Sequence, residues 1–316
     1  MSAHFDGWPH VVKSQQFSRA WIEEEFFPLA REMKEVFHRG GDKILCGKRM
    51  VALFYQPSTR TRGSFQMAMS YLGGEVAFAT ENAAKFSSAE KGESLEHTIK
   101  VWCRYKPSVI VLRHDKEGSA EIAANISSVP IINAGDGAGQ HPTQGLLDIF
   151  TIYEKLKMID GISIVINGDL INNRAARSLT YFLSKFNGVT IYFVSPSPQK
   201  MKQDVLNHLT EKGTCFSESE RLEEVIGLVD VVYMLRTQRE HGSNVYDLTD
   251  QYTLDERKAG LAKETAIFMH PLPIDSRVKE IRPEIEKDPR AVFLTDEIDS
   301  GLYTRMALLK MILAPN

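Results

Sequence analysis

The sequence predicts an α/β protein of two domains, each a mostly parallel sheet flanked by helices. Three observations lead there. Apolar runs of strand length recur along the chain, helical stripes lie between them, and 316 residues are too many for one ordinary domain and about right for two. The runs cover residues 50–55, 109–112, 130–132, 162–166, 189–194, 231–235 and 266–269. They are continuously apolar and not alternating, which is the pattern of strands buried on both faces and hence of parallel sheets covered by helices.

The helical stripes follow. Phe65, Ala68, Met69 and Leu72 succeed the first run, and Leu147, Phe150 and Glu154 succeed Pro142. Ala176, Leu179, Leu183 and Phe186 form another stripe, and Tyr303, Met306, Leu309 and Leu313 close the chain. No repeat or low-complexity tract interrupts this order. The best boundary is the glycine-rich run from Gly135 to His141, which divides residues 1–141 from residues 142–299, with Pro142 opening the next helix.

Composition excludes several classes. With 38 basic against 41 acidic residues the net charge is -3, without the basic excess of a nucleic-acid binder. Hydrophobic residues at 43% and charged residues at 25% describe an ordinary globular chain and argue against disorder. Cys46, Cys103 and Cys215 lie far apart, with no CxxC or Cys/His pair, so neither a disulfide framework nor a zinc site is expected. They read as reduced, buried thiols of a cytoplasmic protein. The first ten residues lack a basic head followed by an apolar core, and no apolar run approaches the roughly 18 residues of a membrane helix. A soluble cytoplasmic protein is expected, without membrane or nucleic-acid partners.

Seven motifs follow the strands, at the ends where open parallel sheets bind ligands, so they can converge on one cleft. Pro57-Ser58-Thr59-Arg60-Thr61-Arg62 joins a strand to a helix. Helix N-terminal amides, hydroxyls and forked guanidinium groups suit a phosphate. A plain Ser/Thr helix cap with solvated arginines is the alternative for the tetrapeptide alone. The segment 87–94 carries Ser87 and Lys91 ahead of Gly92 in a polar, irregular stretch suited to closing over an anion, although an isolated lysine is ordinarily a solvent-facing one. Arg113 ends a strand, with His114 beside it read as structural. His141-Pro142-Thr143-Gln144 offers an imidazole and an amide as hydrogen-bond groups to a carbonyl, where a bare His-Pro would be a turn.

Asn167-Gly168-Asp169, leading to Arg174, has a strand-turn-helix form without GxGxxG, and no Walker A lysine follows, which disfavours a nucleotide. Arg236 and Gln238 can point the same way from an extended segment, while Arg239 and Glu240 read as surface charge. His270-Pro271-Leu272-Pro273 is a turn made rigid by its prolines.

In this order, STRT, SxxxKGE, RH, HPTQ, GDLxxxR, RxQ and HPLP, the motifs resemble the catalytic chain of the aspartate carbamoyltransferase family over nearly the whole sequence, from about Phe17 to about Leu313. The resemblance implies transfer of the carbamoyl group of carbamoyl phosphate to L-aspartate, in pyrimidine biosynthesis, by a homotrimer whose sites are shared between subunits. It implies a carbamoyl phosphate-binding domain of residues 1–141 plus 300–316, the C-terminal helix returning to the first domain, and an aspartate-binding domain of residues 142–299. Ser58, Thr59, Arg60 and Thr61, with Arg113, would bind the phosphate. Ser87 and Lys91 would come from the neighbouring subunit. Thr61, Arg113 and His141 would surround the carbamoyl oxygen, and Gln144 with the carbonyls near Leu272 and Pro273 would orient the carbamoyl nitrogen. Arg174 would hold the aspartate α-carboxylate, and Arg236, Gln238 and Lys91 its side-chain carboxylate. No metal or organic cofactor is needed. Regulatory chains remain an open class of partner.

The sequence departs from the family on the acceptor side. Gln56 stands where a glutamate is usual, the neighbours of Arg174 between Ile171 and Arg177 differ, and Ile274, Asp275 and Ser276 intervene before Arg277. A carbamoyltransferase for another amine, such as ornithine, is the nearest rival, but ornithine enzymes carry HCLP where this chain has Pro271. A catalytically silent homologue and a nucleotide-dependent oxidoreductase are the rivals from other classes. Intact anchors weigh against the first and the missing glycine fingerprint against the second.

Overall fold

The computed structural model describes residues 9–236 and 249–314. The chain divides into two compact units, Met1–Leu146 with Ser300–Asn316, and Leu147–Asp299. The expected boundary at residues 141 and 142 lies slightly before this division, which falls inside a helix that opens at Pro142.

Unit 1 contains four strands, β1 (Arg49–Phe54), β2 (Glu75–Glu81), β3 (Val109–His114) and β4 (Ile131–Asp136), all parallel in the order β2-β1-β3-β4. Unit 2 contains five, β5 (Ser163–Asn167), β6 (Thr190–Val194), β7 (Cys215–Ser219), β8 (Val231–Met234) and β9 (Ile267–Met269), all parallel in the order β7-β6-β5-β8-β9. The helices in chain order are α1 (Phe27–His38), α2 (Thr59–Tyr71), α3 (Ala83–Phe86), α4 (Leu95–Arg104), α5 (Ser119–Ile126), α6 (Pro142–Leu156), α7 (Arg174–Leu183), α8 (Gln203–Lys212), α9 (Thr249–Tyr252), α10 (Glu256–Ala259) and α11 (Asp296–Leu313). The last residues of α11, from Ser300 onward, belong to unit 1.

Burial explains which strands the sequence announced. β1 is buried from Met50 to Phe54, and β4, β8 and β9 are buried throughout. Val51, Leu53, Ile110, Leu112 and Ile131 share one core with Ala120, Ala123 and Ala124 of α5. In unit 2, Val165, Val194, Val232, Met234 and Phe268 share another. The expected apolar runs coincide with these buried strands, the edge strands β4 and β9 among them. β2 and β7 were not expected. They are edge strands with largely exposed or half-buried residues, so neither needs a continuous apolar run.

Two further differences concern the cysteines and the chain ahead of α1. Cys46 and Cys215 are exposed and Cys103 half-buried, against the expectation of buried thiols. Cys46 lies in a surface turn and Cys215 opens the edge strand β7, and neither place has a covering layer. Near the N-terminus, Val11 forms a parallel bridge to Ile132: its amide donates to Ile131 O at 2.8 Å, and its carbonyl accepts from Asn133 N at 2.7 Å. The β4 edge is thereby partly covered.

The same attachment sets a pH dependence. His10 Nδ1 accepts from the buried amide of Ile131 at 3.0 Å, and burial lowers the imidazole from 6.5 to about 4. The folded chain therefore keeps His10 neutral where the unfolded chain takes up a proton. Its contribution is fully present above pH 6.5 and is lost as pH falls toward 4, by on the order of 1–3 kcal/mol. Denaturation midpoints near pH 7 and near pH 5 should differ less in His10→Gln, which keeps an acceptor without titrating there. An equal loss in both proteins would contradict this.

Candidate active site

In unit 1, β1 ends at Phe54 and α2 opens at Thr59. Ser58 is the N-cap residue, extended at φ -161°, and its hydroxyl makes no capping bond. The plain helix-cap reading of the motif is therefore not what the chain adopts. A 13-residue helix begins here with the hydroxyls of Ser58 and Thr59 uncommitted to its first amides, the arrangement of an anion site. Glu81, at the end of β2, accepts from Ser58 N at 3.1 Å and from Arg62 Nη2 at 3.0 Å. Of the two motif arginines, Arg62 is thus held by a carboxylate, while Arg60, two residues earlier, is exposed.

The neighbouring strand supplies Arg113. Phe54 and Arg113 are register partners, and Tyr55 N donates to Arg113 O at 2.8 Å, so the arginine stands beside the turn leading into α2. Its Nη1 donates to Ala134 O of β4 at 3.2 Å. His114 is structural, as expected: it is buried and tilted against the Tyr55 ring at 4.5 Å, and burial holds its imidazole below the ordinary value.

His141 precedes α6 and is buried. Its Nε2 is 3.5 Å from Thr61 Oγ1, and its Nδ1 is 3.4 Å from Thr143 Oγ1. Both distances are at the outer limit of hydrogen bonding. A Thr143 hydroxyl donating to Nδ1 leaves the ring proton on Nε2, so a neutral His141 can act as a donor beside Thr61. Gln144, also buried, donates its backbone N–H to His141 O at 2.9 Å.

The loop carrying His141 is braced by residues that the sequence reading did not assign. Asp136 Oδ1 accepts from Gln140 N at 2.8 Å and from Asn133 Nδ2 at 3.2 Å, while its Oδ2 accepts from Gly118 N at 2.9 Å. Gln140 Oε1 accepts from Ser14 N at 2.7 Å, tying the N-terminal segment to the same loop. Gly137 has φ +50°, and a Cβ there would meet Asp115 O and Glu117 N at 2.7 Å, so a side chain is excluded. An acidic residue within a glycine-rich run was the available signal.

The segment 87–94 is more ordered than expected. Residues Ser88–Lys91 form a short 3₁₀ helix capped by Ser87, whose hydroxyl accepts from Ala89 N at 3.2 Å and donates to Ala83 O at 2.5 Å. Lys91 is exposed and makes no ion pair with the described residues. Phe86, directly before Ser87, is 76% exposed.

In unit 2, Asn173 caps α7 by accepting from the amides of Ala175 and Ala176 at 3.0 and 3.2 Å, which sets Arg174 at the helix start. Arg177 is tied to Asp204 by both terminal nitrogens. Gly168 has φ +129°, and a Cβ would lie 2.6 Å from Leu235 O. That close approach, with Leu235 N donating to Asn167 O at 2.8 Å, joins the turns after β5 and β8. Arg174 and Arg236 accordingly extend from adjacent turns at one end of the sheet. Gln238, expected beside Arg236, lies outside the described residues, as do Arg239 and Glu240. Leu272 and Pro273 follow β9 in a turn where Leu272 has φ +54°.

A buried acidic pair lies behind this turn. Tyr233 donates to Asp148 Oδ2 at 2.8 Å, and Glu297 Oε2 accepts from His270 N at 2.9 Å. Burial, with the Asp148 charge adding to it, pushes Glu297 well above the usual carboxylate range. Among the described residues no group of three or more His, Cys, Asp or Glu could hold a metal, and no helix is long and apolar enough to cross a membrane.

Unit 1 therefore brings Ser58, Thr59, Arg60, Thr61, Arg113, His141 and Gln144 to the carboxyl ends of β1, β3 and β4, while no bond joins Ser87 or Lys91 to them. Parallel α/β sheets with hydroxyls and a guanidinium at an uncapped helix start, and a buried imidazole beside it, suit the class of proteins that bind phosphorylated small molecules. The chain belongs to the aspartate/ornithine carbamoyltransferase family: the carbamoyl-P binding domain model matches residues 9–154 and the Asp/Orn binding domain model residues 160–312. It is 46% identical over 308 residues to the chloroplastic aspartate carbamoyltransferase of Arabidopsis thaliana, covering 96% of this chain and 77% of that one. The aspartate carbamoyltransferase catalytic subunit of Methanothrix thermoacetophila is 43% identical, with 96% and 98% covered. Aspartate transcarbamoylase from Trypanosoma cruzi, solved in complex with carbamoyl phosphate, superposes with a TM-score of 0.90 at 36% identity, with 96% of each chain covered. The same enzyme in complex with carbamoyl aspartate and phosphate gives 0.87.

Proposed function

We propose that this chain transfers the carbamoyl group of carbamoyl phosphate to the amine of L-aspartate, giving N-carbamoyl-L-aspartate and phosphate. The observation that carries the reading is the uncapped start of α2, where Thr61 lies 3.5 Å from the buried His141 ring. Ser58, Thr59, Arg60, Thr61 and Arg113 take the phosphate. Thr61, Arg113 and His141 take the carbonyl oxygen, and Gln144 with the Leu272 and Pro273 carbonyls takes the carbamoyl nitrogen. Arg174, Arg236 and Gln238 take aspartate, with Lys91 at its side-chain carboxylate.

The chemistry follows from these roles. The neutral amine attacks the carbonyl carbon and negative charge develops on the carbonyl oxygen, where fixed donors stabilise the transition state. The bond from carbon to the phosphate oxygen then breaks, and the departing phosphate takes the proton that the amine must lose. Anchors at phosphate and carboxylate hold the reactants in attack geometry. His141 serves as a neutral donor and not as the base.

The same reading makes the active assembly a homotrimer in which Ser87 and Lys91 serve a neighbouring copy. Its support is the exposure of Phe86 and Lys91 on a capped, ordered segment that bonds to no other anchor of its own unit. A cytoplasmic location is retained, supported by three free cysteines.

A steady-state acceptor panel with carbamoyl phosphate tests the function: aspartate, glutamate, ornithine and related amines. Aspartate should be the preferred acceptor, and turnover with another amine but not with aspartate would overturn the assignment. Gln56, half-buried just before Pro57, gives a narrower prediction. A carboxylate there strengthens charge-assisted bonds to arginine, so Gln56→Glu should lower the aspartate KM about three- to tenfold. An unchanged aspartate dependence would count against that role.

A further inference from the structure

The turn that carries Leu272 is held by a pair of side chains to which the proposed reaction gives no role. His270 and Glu280 are both buried, at 1% and 4% exposure. The His270 ring spans two partners. Its Nδ1 accepts from Leu272 N at 2.8 Å, and its Nε2 lies 3.2 Å from Glu280 Oε1. An Nδ1 that accepts an amide proton carries none of its own, so the ring proton sits on Nε2 and is donated to Glu280. The tautomer that receives the Leu272 amide is thus selected by the carboxylate on the far side of the ring.

Both ends of this relay are anchored. Glu297 Oε2 accepts the backbone amide of His270 at 2.9 Å. Glu280 accepts from Asp275 N at 3.1 Å through each of its oxygens, and Asp275 in turn holds Arg277 at 2.8 and 3.0 Å. Asp275, one of the residues that set this turn apart in sequence, is therefore pinned by the same carboxylate that orients His270. Leu272 needs such support. A non-glycine residue at φ +54° lies in the left-handed region, which L side chains adopt at a cost and only where the surroundings over-determine it.

We infer that His270 and Glu280 are positioning residues for carbamoyl phosphate: the pair fixes the Leu272 peptide and with it the direction of the carbonyl that receives the carbamoyl nitrogen. The inference rests on the reading that the Leu272 and Pro273 carbonyls take that nitrogen. A bond to a carbonyl held in place discriminates carbamoyl phosphate from bare phosphate, because only the former has an N–H to donate. The phosphate anchors belong to unit 1 and are independent of this relay.

The test compares two ligands in three variants of the full-length protein. The KM for carbamoyl phosphate and the competitive inhibition constant of inorganic phosphate are measured in Glu280→Leu, His270→Ala and Glu280→Gln. Glu280→Leu removes the acceptor for Nε2, and His270→Ala removes the acceptor for the Leu272 amide. Each should raise the carbamoyl phosphate KM about tenfold or more and leave the phosphate constant within about twofold. Glu280→Gln keeps an acceptor oxygen and should stay within about threefold of the parent on both measures. Equal weakening of both ligands, no weakening of either, or a glutamine variant as defective as the leucine one would overturn the proposal. Loss of the fold in both truncating variants would assign the pair a structural role and overturn it as well. Turnover by the unaltered protein is measured first. Its failure with carbamoyl phosphate would sink the proposed function, whereas a normal parent with unchanged ligand discrimination in the variants sinks only this inference.

Discussion

Arg60→Ala is expected to lower kcat/KM for carbamoyl phosphate about 30- to 5,000-fold, the span of the roughly 2–5 kcal/mol lost when one partner is removed from a charge pair that the bound substrate desolvates. Stability should barely change, because Arg60 is an exposed residue in the first turn of α2 and alanine is the better helix former. The loss should fall on this arginine and not on Arg62, whose guanidinium is already held by Glu81 at 3.0 Å. The shared-site proposal adds a second expectation. Mixing inactive Arg60→Ala with inactive Lys91→Ala chains should restore activity, because a mixed trimer contains one site with both residues intact. Mixed assemblies that stay inactive would contradict the sharing, and an Arg60→Ala enzyme that keeps full efficiency would contradict the phosphate grip.

His141→Ala should lower kcat about 100- to 1,000-fold, the roughly 2.7–4 kcal/mol attached to one donor at a developing oxyanion. The geometry also says how. Its Nδ1 faces the Thr143 hydroxyl at 3.4 Å and its Nε2 faces Thr61 at 3.5 Å, which suits a neutral donor. His141→Asn, which keeps an N–H, should therefore recover part of the lost rate. A general base would have no such substitute, so an asparagine variant as inactive as alanine would remove the donor assignment. Measured kcat in the two variants, with the carbamoyl phosphate KM as a check on binding, decides between the roles.

Legibility in the sequence followed burial. The strands β1, β3, β4, β5, β6, β8 and β9 announce themselves because they are largely buried, the edge strands β4 and β9 included, and a strand covered on both faces must be apolar. β2 and β7 do not, since each edge strand leaves polar residues such as Glu75 and Glu218 in solvent. Candidate site residues were legible where the chain places them next to a strand end in a chemically loaded cluster, as at Ser58 to Thr61 and at His141. Their supports were not. Glu81 reaches Arg62 across 19 positions, Gln140 reaches Ser14 across 126, and Glu280 reaches back to His270 across a turn whose composition gives no hint of it. Local patterns cannot display a bond that only the fold creates, and each of these residues looks in sequence like ordinary surface polarity. The same limit applies to the cysteines: Cys46 and Cys215 are exposed because a surface turn and a sheet edge have nothing to cover them.

The most direct test is the product balance of the purified protein with carbamoyl phosphate and L-aspartate after exhaustive treatment with a metal chelator. Saturable formation of N-carbamoyl-L-aspartate is expected, with one phosphate released for each carbamoyl group transferred, at a rate the chelator leaves unchanged. Phosphate release without carbamoyl aspartate, or no consumption of carbamoyl phosphate by the folded protein, would contradict it.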